Sequence, residues 1–210
     1  MAGIFGIGLQ HYISQSKVRS AVIIISMSKY YTSTGDDGFT GLLGEGRVPK
    51  YHPQPDANGI IDEATAVIGM ARAICQSNLT GPLLLIVQKD LYNMMAEIAA
   101  TPENASKFRK IDTDRVSWLE SQIDRVGSMV EIPKGFIVPG DSKAGATLSL
   151  ARTIVRRAER ALARLLHENQ IENMELLRYL NRLSSLCFVL ELLENDTEGK
   201  NTQTLAKNGI

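Results

Sequence analysis

The chain has 210 residues, 44% of them hydrophobic and 22% charged, with a formal net charge of zero at pH 7. That is the profile of one soluble globular domain with a sizeable core, and it excludes a broad positive field that would gather nucleic acid or an anionic membrane, so any anion site must be local. The two cysteines, Cys75 and Cys187, sit in apolar helical patterns and read as free, buried thiols of a reducing compartment; His11, His52 and His167 are scattered, show no metal-ligand spacing with them and are assigned no chemistry.

The first acidic residue is Asp36, and before it stand Lys17, Arg19, Lys29 and the apolar run 21–25. That run is too short to span a bilayer, and no cleavage signature makes residues 1–29 a secretory signal. The basic leader reads as an organelle transit peptide, which would mean a mitochondrial location in a eukaryote. Alternatively it is an extension upstream of a start at Met27. The second reading is preferred, with a cytoplasmic location, because the informative sequence begins directly after Met27.

Residues 30–56 are rich in Gly, Asp, Thr and Pro and read as a long loop of the kind that is functional or disordered. Apolar spacing then predicts a helix over 58–77, a second over 80–100 that Thr101-Pro102 ends, and a third over 112–126 with Asp112 as its cap and Gly127 as its stop. Residues 132–140 are extended, with a proline near each end. Ser142 opens a long helix reaching about residue 169, and a last helix covers 171–193. No strand-period segment of consequence appears. The polar tail 194–210 is expected to be disordered. The fold class is therefore all-α, one up-down bundle of about five helices over 30–193.

Five groups of residues carry possible chemistry. On the helix 142–169, Leu148, Ala151, Val155, Ala158, Leu162 and Leu165 form a buried stripe, and Arg152, Arg156 and Glu159 share a neighbouring face with Arg160 further round. Cations gathered round one carboxylate suit a polyphosphate, since the arginine fork binds oxygens bidentately; the same pattern also fits a solvated face of internal pairs. In the loop, Gly35 and Gly38 let backbone N–H groups approach a ligand, Thr32, Thr34 and Thr40 add hydroxyls, and Arg47 and Lys50 add cations. This suits phosphate without being a Walker motif, and it also fits an ordinary Gly-Asp turn. Asp62 and Glu63, at the start of the first predicted helix, cap it or pair with an arginine from elsewhere. Asn181, in an otherwise apolar helix and on one face with Ser185 and Phe188, needs a partner, structural or ligand. Phe136, between Gly135 and Ile137, is core or functional.

The ordered series YYTSTGDDGFT, GRVPK, NGIIDE, IVQKDLYNMMAEIA, FIVPG, ARTIVRRAER and YLNRLS, spanning about residues 30–193, resembles the PduO-type ATP:cob(I)alamin adenosyltransferases. The resemblance implies a ferritin-like five-helix bundle assembled as a homotrimer, with a long N-terminal nucleotide-binding loop and active sites between subunits. It implies transfer of the 5′-deoxyadenosyl group of ATP to the cobalt of reduced cobalamin with release of triphosphate. ATP and cobalamin would be substrates, with Mg2+ on the triphosphate and no metal held by the protein alone; a reductase and an adenosylcobalamin-dependent acceptor enzyme would be partners. Thr32, Thr34, Gly35, Asp36, Gly38 and Lys50 of one subunit would hold ATP, completed by Arg156, Glu159 and Asn181 of its neighbour. Asp62 would pair with Arg152 across the interface, and Phe136 would lie beneath the corrin and displace the lower ligand. Co(I) attack on C5′ needs no general base, in keeping with the lack of a Ser-His-Asp or Cys-His arrangement. Ala64 stands where the usual pattern has Leu after Asp62-Glu63, and four further positions depart from it: Asn58 for Tyr, Asp141 for Gly, Ser149 for His and Ser185 for Asp. They motivate an alternative in which the chain is a non-catalytic cobalamin carrier or sensor of the same fold.

Overall fold

The structure, a computed structural model, describes residues 30–199 and 203–207, so both readings of the leader lie outside the described residues. The chain divides into two units, residues 1–33 and 34–210, and all the regular elements described lie in the second. They are strands β1 (Phe39–Gly41) and β2 (Arg47–Pro49) and helices α1 (Pro53–Ile74), α2 (Thr80–Ala99), α3 (Pro102–Phe108), α4 (Thr113–Gly127), α5 (Lys143–His167) and α6 (Met174–Thr197). The chain is mostly helical, with six helices among the described residues where about five were expected. The additional one is α3, a seven-residue helix that starts at Pro102, the residue read only as a stop. Pro suits this place because the first helical N–H has no partner to lose.

The same property moves the start of α1. Residues 53–56 were read as the end of a loop rich in Gly, Asp, Thr and Pro, yet the helix begins at Pro53, with the His52 Nδ1 atom accepting from the Gln54 N–H at 3.3 Å. Asp62 and Glu63 therefore lie well inside α1 and do not cap it; both are exposed. Three other helix starts, those of α4, α5 and α6, follow side-chain caps: Asp112 accepts from the Arg115 N–H at 2.9 Å, Ser142 from the Gly145 N–H at 2.9 Å, and Asn173 from the Glu175 N–H at 3.1 Å. The cap at Asn173 sets the start of α6 three residues after the expected one.

Helix α5 packs between α1 and α6; α2 lies against α1, and α4 against α6. The stripe expected on α5 is fully buried, and α1 faces it with Ala57, Ile61, Ala64, Ile68 and Ala71 at alternating steps of four and three. Two buried carboxylates of α2 tie the bundle across. Asp90 accepts from the Tyr179 hydroxyl at 2.6 Å and from Arg115 Nε at 2.8 Å. Glu97 accepts from Asn173 Nδ2 and from Arg109 Nε, each at 3.1 Å. Each buried charge is thus paired and hydrogen-bonded, the condition for tolerating it away from water.

Two further expectations change. A short antiparallel hairpin is present in the segment read as loop, with Phe39 opposite Pro49, Thr40 opposite Val48 and Gly41 opposite Arg47. Three-residue strands are too short to show an alternating pattern. The tail read as disordered from residue 194 is helical to Thr197. The Glu194 carboxylate accepts from the Gln76 and Ser77 N–H groups at 2.7 and 3.3 Å, and the Ser142 hydroxyl donates to Asn195 Oδ1 at 2.6 Å. Beyond the helix, Val138 N–H donates to Thr204 O and Ala206 N–H to Phe136 O, each at 2.8 Å. Of the polar residues that suggested a tail, Glu194 satisfies backbone groups and Asn195 meets the side chain that caps α5.

Candidate functional site

The loop before α1 is ordered by one arginine. The Arg47 guanidinium holds Asp37 through two hydrogen bonds of 2.7 and 2.8 Å and also donates to the carbonyls of Thr34 and Phe39 at 2.5 and 3.1 Å. That bond holds the Asp37 carboxyl below the usual range. Arg47 is therefore engaged inside the loop, which weakens the reading of it as a phosphate cation. Gly38 has φ of 82°, the left-handed region that glycine tolerates best, and its carbonyl accepts from the Lys50 N–H at 2.9 Å. The Lys50 amine lies over Gly35, where an added Cβ would stand 3.0 Å from Nζ. Gly35 and Lys50 are thus brought together, with Thr34, Asp36 and Gly38 alongside in sequence and exposed; Thr32 belongs to the first unit and is also exposed. A shallow cleft of about 570 Å3 runs from Lys50 along α1 past Gly59 to Glu63 and Arg157, the last two joined by a salt bridge.

A larger pocket of about 690 Å3 opens on the other side of α5, between the segment 133–139, α5 and α6. The segment contributes Phe136, which is 89% exposed and so does not belong to the core. Its backbone is held by the pairing with residues 204–206, and the Asp141 carboxylate reinforces that clamp by accepting from the Thr204 N–H at 2.9 Å and hydroxyl at 2.6 Å. Helix α5 contributes Arg152 and Arg156; α6 contributes Ser185 and Phe188. The pocket thus joins apolar side chains to three cations, Lys134, Arg152 and Arg156. One turn further along, Asn181 Nδ2 donates to Glu159 Oε1 at 2.8 Å, and Arg182 Nη1 donates to Asn181 Oδ1 at 2.8 Å. The partner that Asn181 required is, within the chain, Glu159.

Two buried groups in this region titrate unusually. Burial pushes the Cys187 thiol up to about 12, so it stays neutral and unreactive. Burial likewise pushes the Glu191 carboxyl up to about 7, against the downward pull of Ser149 and Arg152. Glu191 is 1% exposed.

The comparisons with known proteins bear on these two regions together. Residues 30–194 match the family described as cobalamin adenosyltransferase. The chain belongs to the cobalamin adenosyltransferase family. It is 39% identical over 166 residues to the corrinoid adenosyltransferase PduO of Salmonella typhimurium, covering 79% of this chain and 49% of that protein. It is also 39% identical over 176 residues to a corrinoid adenosyltransferase of Bacillus subtilis, covering 81% and 89%. The chain thus spans about half the length of the PduO relatives it matches and most of the Bacillus one. A variant PduO-type ATP:corrinoid adenosyltransferase from Lactobacillus reuteri, solved with cobalamin and ATP, superposes with a TM-score of 0.78 at 31% identity, covering 86% of this chain and all of that one.

Placed in this family, the residues singled out from sequence fall into two sets within one chain. Phe136, Arg152 and Arg156 line the pocket; Lys50, which lies over Gly35, lines the cleft; the two share no lining residue. Asp62 and Arg152 form no ion pair among the described residues, and Arg152 Nε is buried there without a hydrogen-bond partner. Three participants were missed. Arg157 looked like one more charge of the Arg face but points to α1, because consecutive helical residues diverge by about 100°. Arg182, which anchors Asn181, and Glu191, on the pocket wall, lie in an otherwise apolar helix, where the apolar period alone does not tell a buried charge from an exposed one.

Proposed function

We propose that the chain transfers the 5′-deoxyadenosyl group of ATP to the cobalt of cob(I)alamin, forming adenosylcobalamin and releasing triphosphate. The observation that carries this reading is the pocket in which an exposed Phe136 faces Arg152 and Arg156 across an apolar floor. A large, flat, mostly apolar corrin suits the floor, and the two guanidinium groups suit the phosphate charge that grows on the leaving group. Phe136 would lie against the corrin face and keep the lower ligand off the cobalt, which eases formation of the Co(I) nucleophile. Arg156, with Asn181 and Glu159 along the same groove, would align the nucleotide so that C5′ meets cobalt in line.

The active unit is proposed to be a homotrimer with the site between subunits, the loop of one chain completing the pocket of the next. Two features favour this: the loop with Lys50 and the pocket lie apart within one chain, and the buried Arg152 Nε lacks an acceptor while Asp62 stands exposed. Thr32, Thr34, Gly35, Asp36, Gly38 and Lys50 would then face the phosphates from the neighbouring chain. Magnesium would arrive on the triphosphate, as is usual for nucleotide sites. A reductase supplying Co(I) and an acceptor for the product are the partners this chemistry requires.

The test supplies the purified protein with cob(I)alamin and magnesium-ATP under strong reductant and follows the corrinoid spectrum and triphosphate release together. Adenosylcobalamin and triphosphate in equal amounts are expected, and Arg156→Ala should lower the rate about 100-fold or more. Corrinoid binding without triphosphate would leave the carrier or sensor reading in its place.

A further inference from the structure

The pocket wall holds a carboxyl group that neither the fold nor the proposed transfer requires. Glu191, on α6, is 1% exposed and lines the pocket, and its Oε1 atom is buried with no hydrogen-bond partner among the described residues. A buried acceptor left unmet is costly, and such groups are rare unless a ligand or water meets them. Its surroundings do not supply that ligand. Ser149 and Arg152 reach it from α5, Asp141 adds a like charge from the start of α5, and Cys187 lies on its own helix. Lys134, on the segment 133–139, lines the same pocket.

We propose that Glu191 is a specificity-determining contact of this pocket, its free Oε1 accepting a hydrogen bond from a primary amide on the rim of the corrinoid, so that the site selects an amide over a carboxylate at that one position. The proposal rests on the corrinoid reading of the pocket. Most of the acetic and propionic side chains of the corrin ring are primary amides, each with two N–H donors, which match an unmet carboxylate oxygen in geometry and charge. Where an amide is replaced by a carboxylate, the donor is lost and two anions meet in a site shielded from water. The cations Lys134, Arg152 and Arg156 welcome a carboxylate elsewhere in the pocket, so discrimination is confined to the rim position that reaches Glu191. Because burial pushes Glu191 up to about 7, it is ionised at pH 8 and largely protonated at pH 6. The protonated form can donate to a carboxylate, so discrimination must fade as the pH falls.

The test measures dissociation constants of the full-length protein with magnesium-ATP for cob(II)alamin and for its isomeric monocarboxylic acids, each with one rim amide hydrolysed, at pH 6 and pH 8. At pH 8 at least one isomer is expected to bind about tenfold or more weakly than cob(II)alamin. At pH 6 the ratio should shrink several-fold, and in Glu191→Gln it should fall to near unity at both values, because the amide of glutamine can donate to the carboxylate. Absence of corrinoid binding altogether would sink the reading of the pocket itself. Corrinoid binding with a ratio near unity for every isomer, with a ratio independent of pH in the unmodified protein, or with a ratio unchanged in a folded Glu191→Gln would overturn the role of Glu191 alone. The unmodified protein's pH profile needs no variant, so a misfolded Glu191→Gln would not rescue the proposal.

Discussion

Gly145→Ala should destabilise the protein, although the same exchange inside most helices does the reverse. Gly145 is the third residue of α5 and is buried. Ala gains roughly 0.5–1 kcal/mol over Gly inside a helix. Here the added methyl would overlap the Asn195 side-chain oxygen and stand 2.6 Å from Ser142 Oγ. Those two atoms are the ones that hold α5 to α6: the Ser142 hydroxyl caps α5 through the Gly145 N–H and donates to Asn195. Losing the cap costs about 0.5–2 kcal/mol, and leaving the buried Asn195 oxygen unmet costs about 1–3 kcal/mol. The losses exceed the gain, for a net destabilisation of roughly 0.5–4.5 kcal/mol. Urea unfolding followed by far-ultraviolet circular dichroism reads the change, with Gly59→Ala as the reference. Gly59 lies in α1 with nothing within 4 Å of an added Cβ, so that variant should be about 0.5–1 kcal/mol more stable. A Gly145→Ala protein as stable as the unmodified one, or more so, would refute the account of the α5 start.

Removing the charge of Glu194 by Glu194→Gln weakens the bonds from the Gln76 and Ser77 N–H groups; a loss of about 1–3 kcal/mol is expected in the same urea experiment. Glu191 makes stability depend on pH. Its carboxyl titrates near 7 in the folded chain against an ordinary 4.5, so the folded state holds the proton more tightly, and its favourable contribution, complete below about pH 4.5, is lost as the pH rises through 7. The difference amounts to at most about 3 kcal/mol, and comparing unfolding at pH 5 and pH 8 should show Glu191→Gln gaining on the unmodified protein; parallel profiles would contradict this. Arg182→Ala frees Asn181 on the side away from Glu159 and should weaken magnesium-ATP binding several-fold by calorimetry while leaving corrinoid binding unchanged.

Much of the bundle was legible in the sequence alone. The α5 stripe, the caps Asp112 and Ser142 and the stop at Thr101-Pro102 are local signals: a 3.6-residue period and a side chain that satisfies a backbone group within three residues. The order of the motifs was legible in the same way and pointed to the family before any geometry was known. What the sequence could not reveal were polar residues whose partners are distant along the chain. Glu194 and Asn195 looked like the beginning of a loose tail until Gln76, Ser77 and Ser142 were seen to meet them. Arg157 looked like a neighbour of Arg156 until α1 and Glu63 were in place. Glu191 carries no local sign of burial in the sequence, and only the fold places it in the wall of the pocket. A hydrophobic pattern states which face of a helix turns inward, but the meaning of a polar group depends on what stands opposite it, and only the tertiary structure decides that.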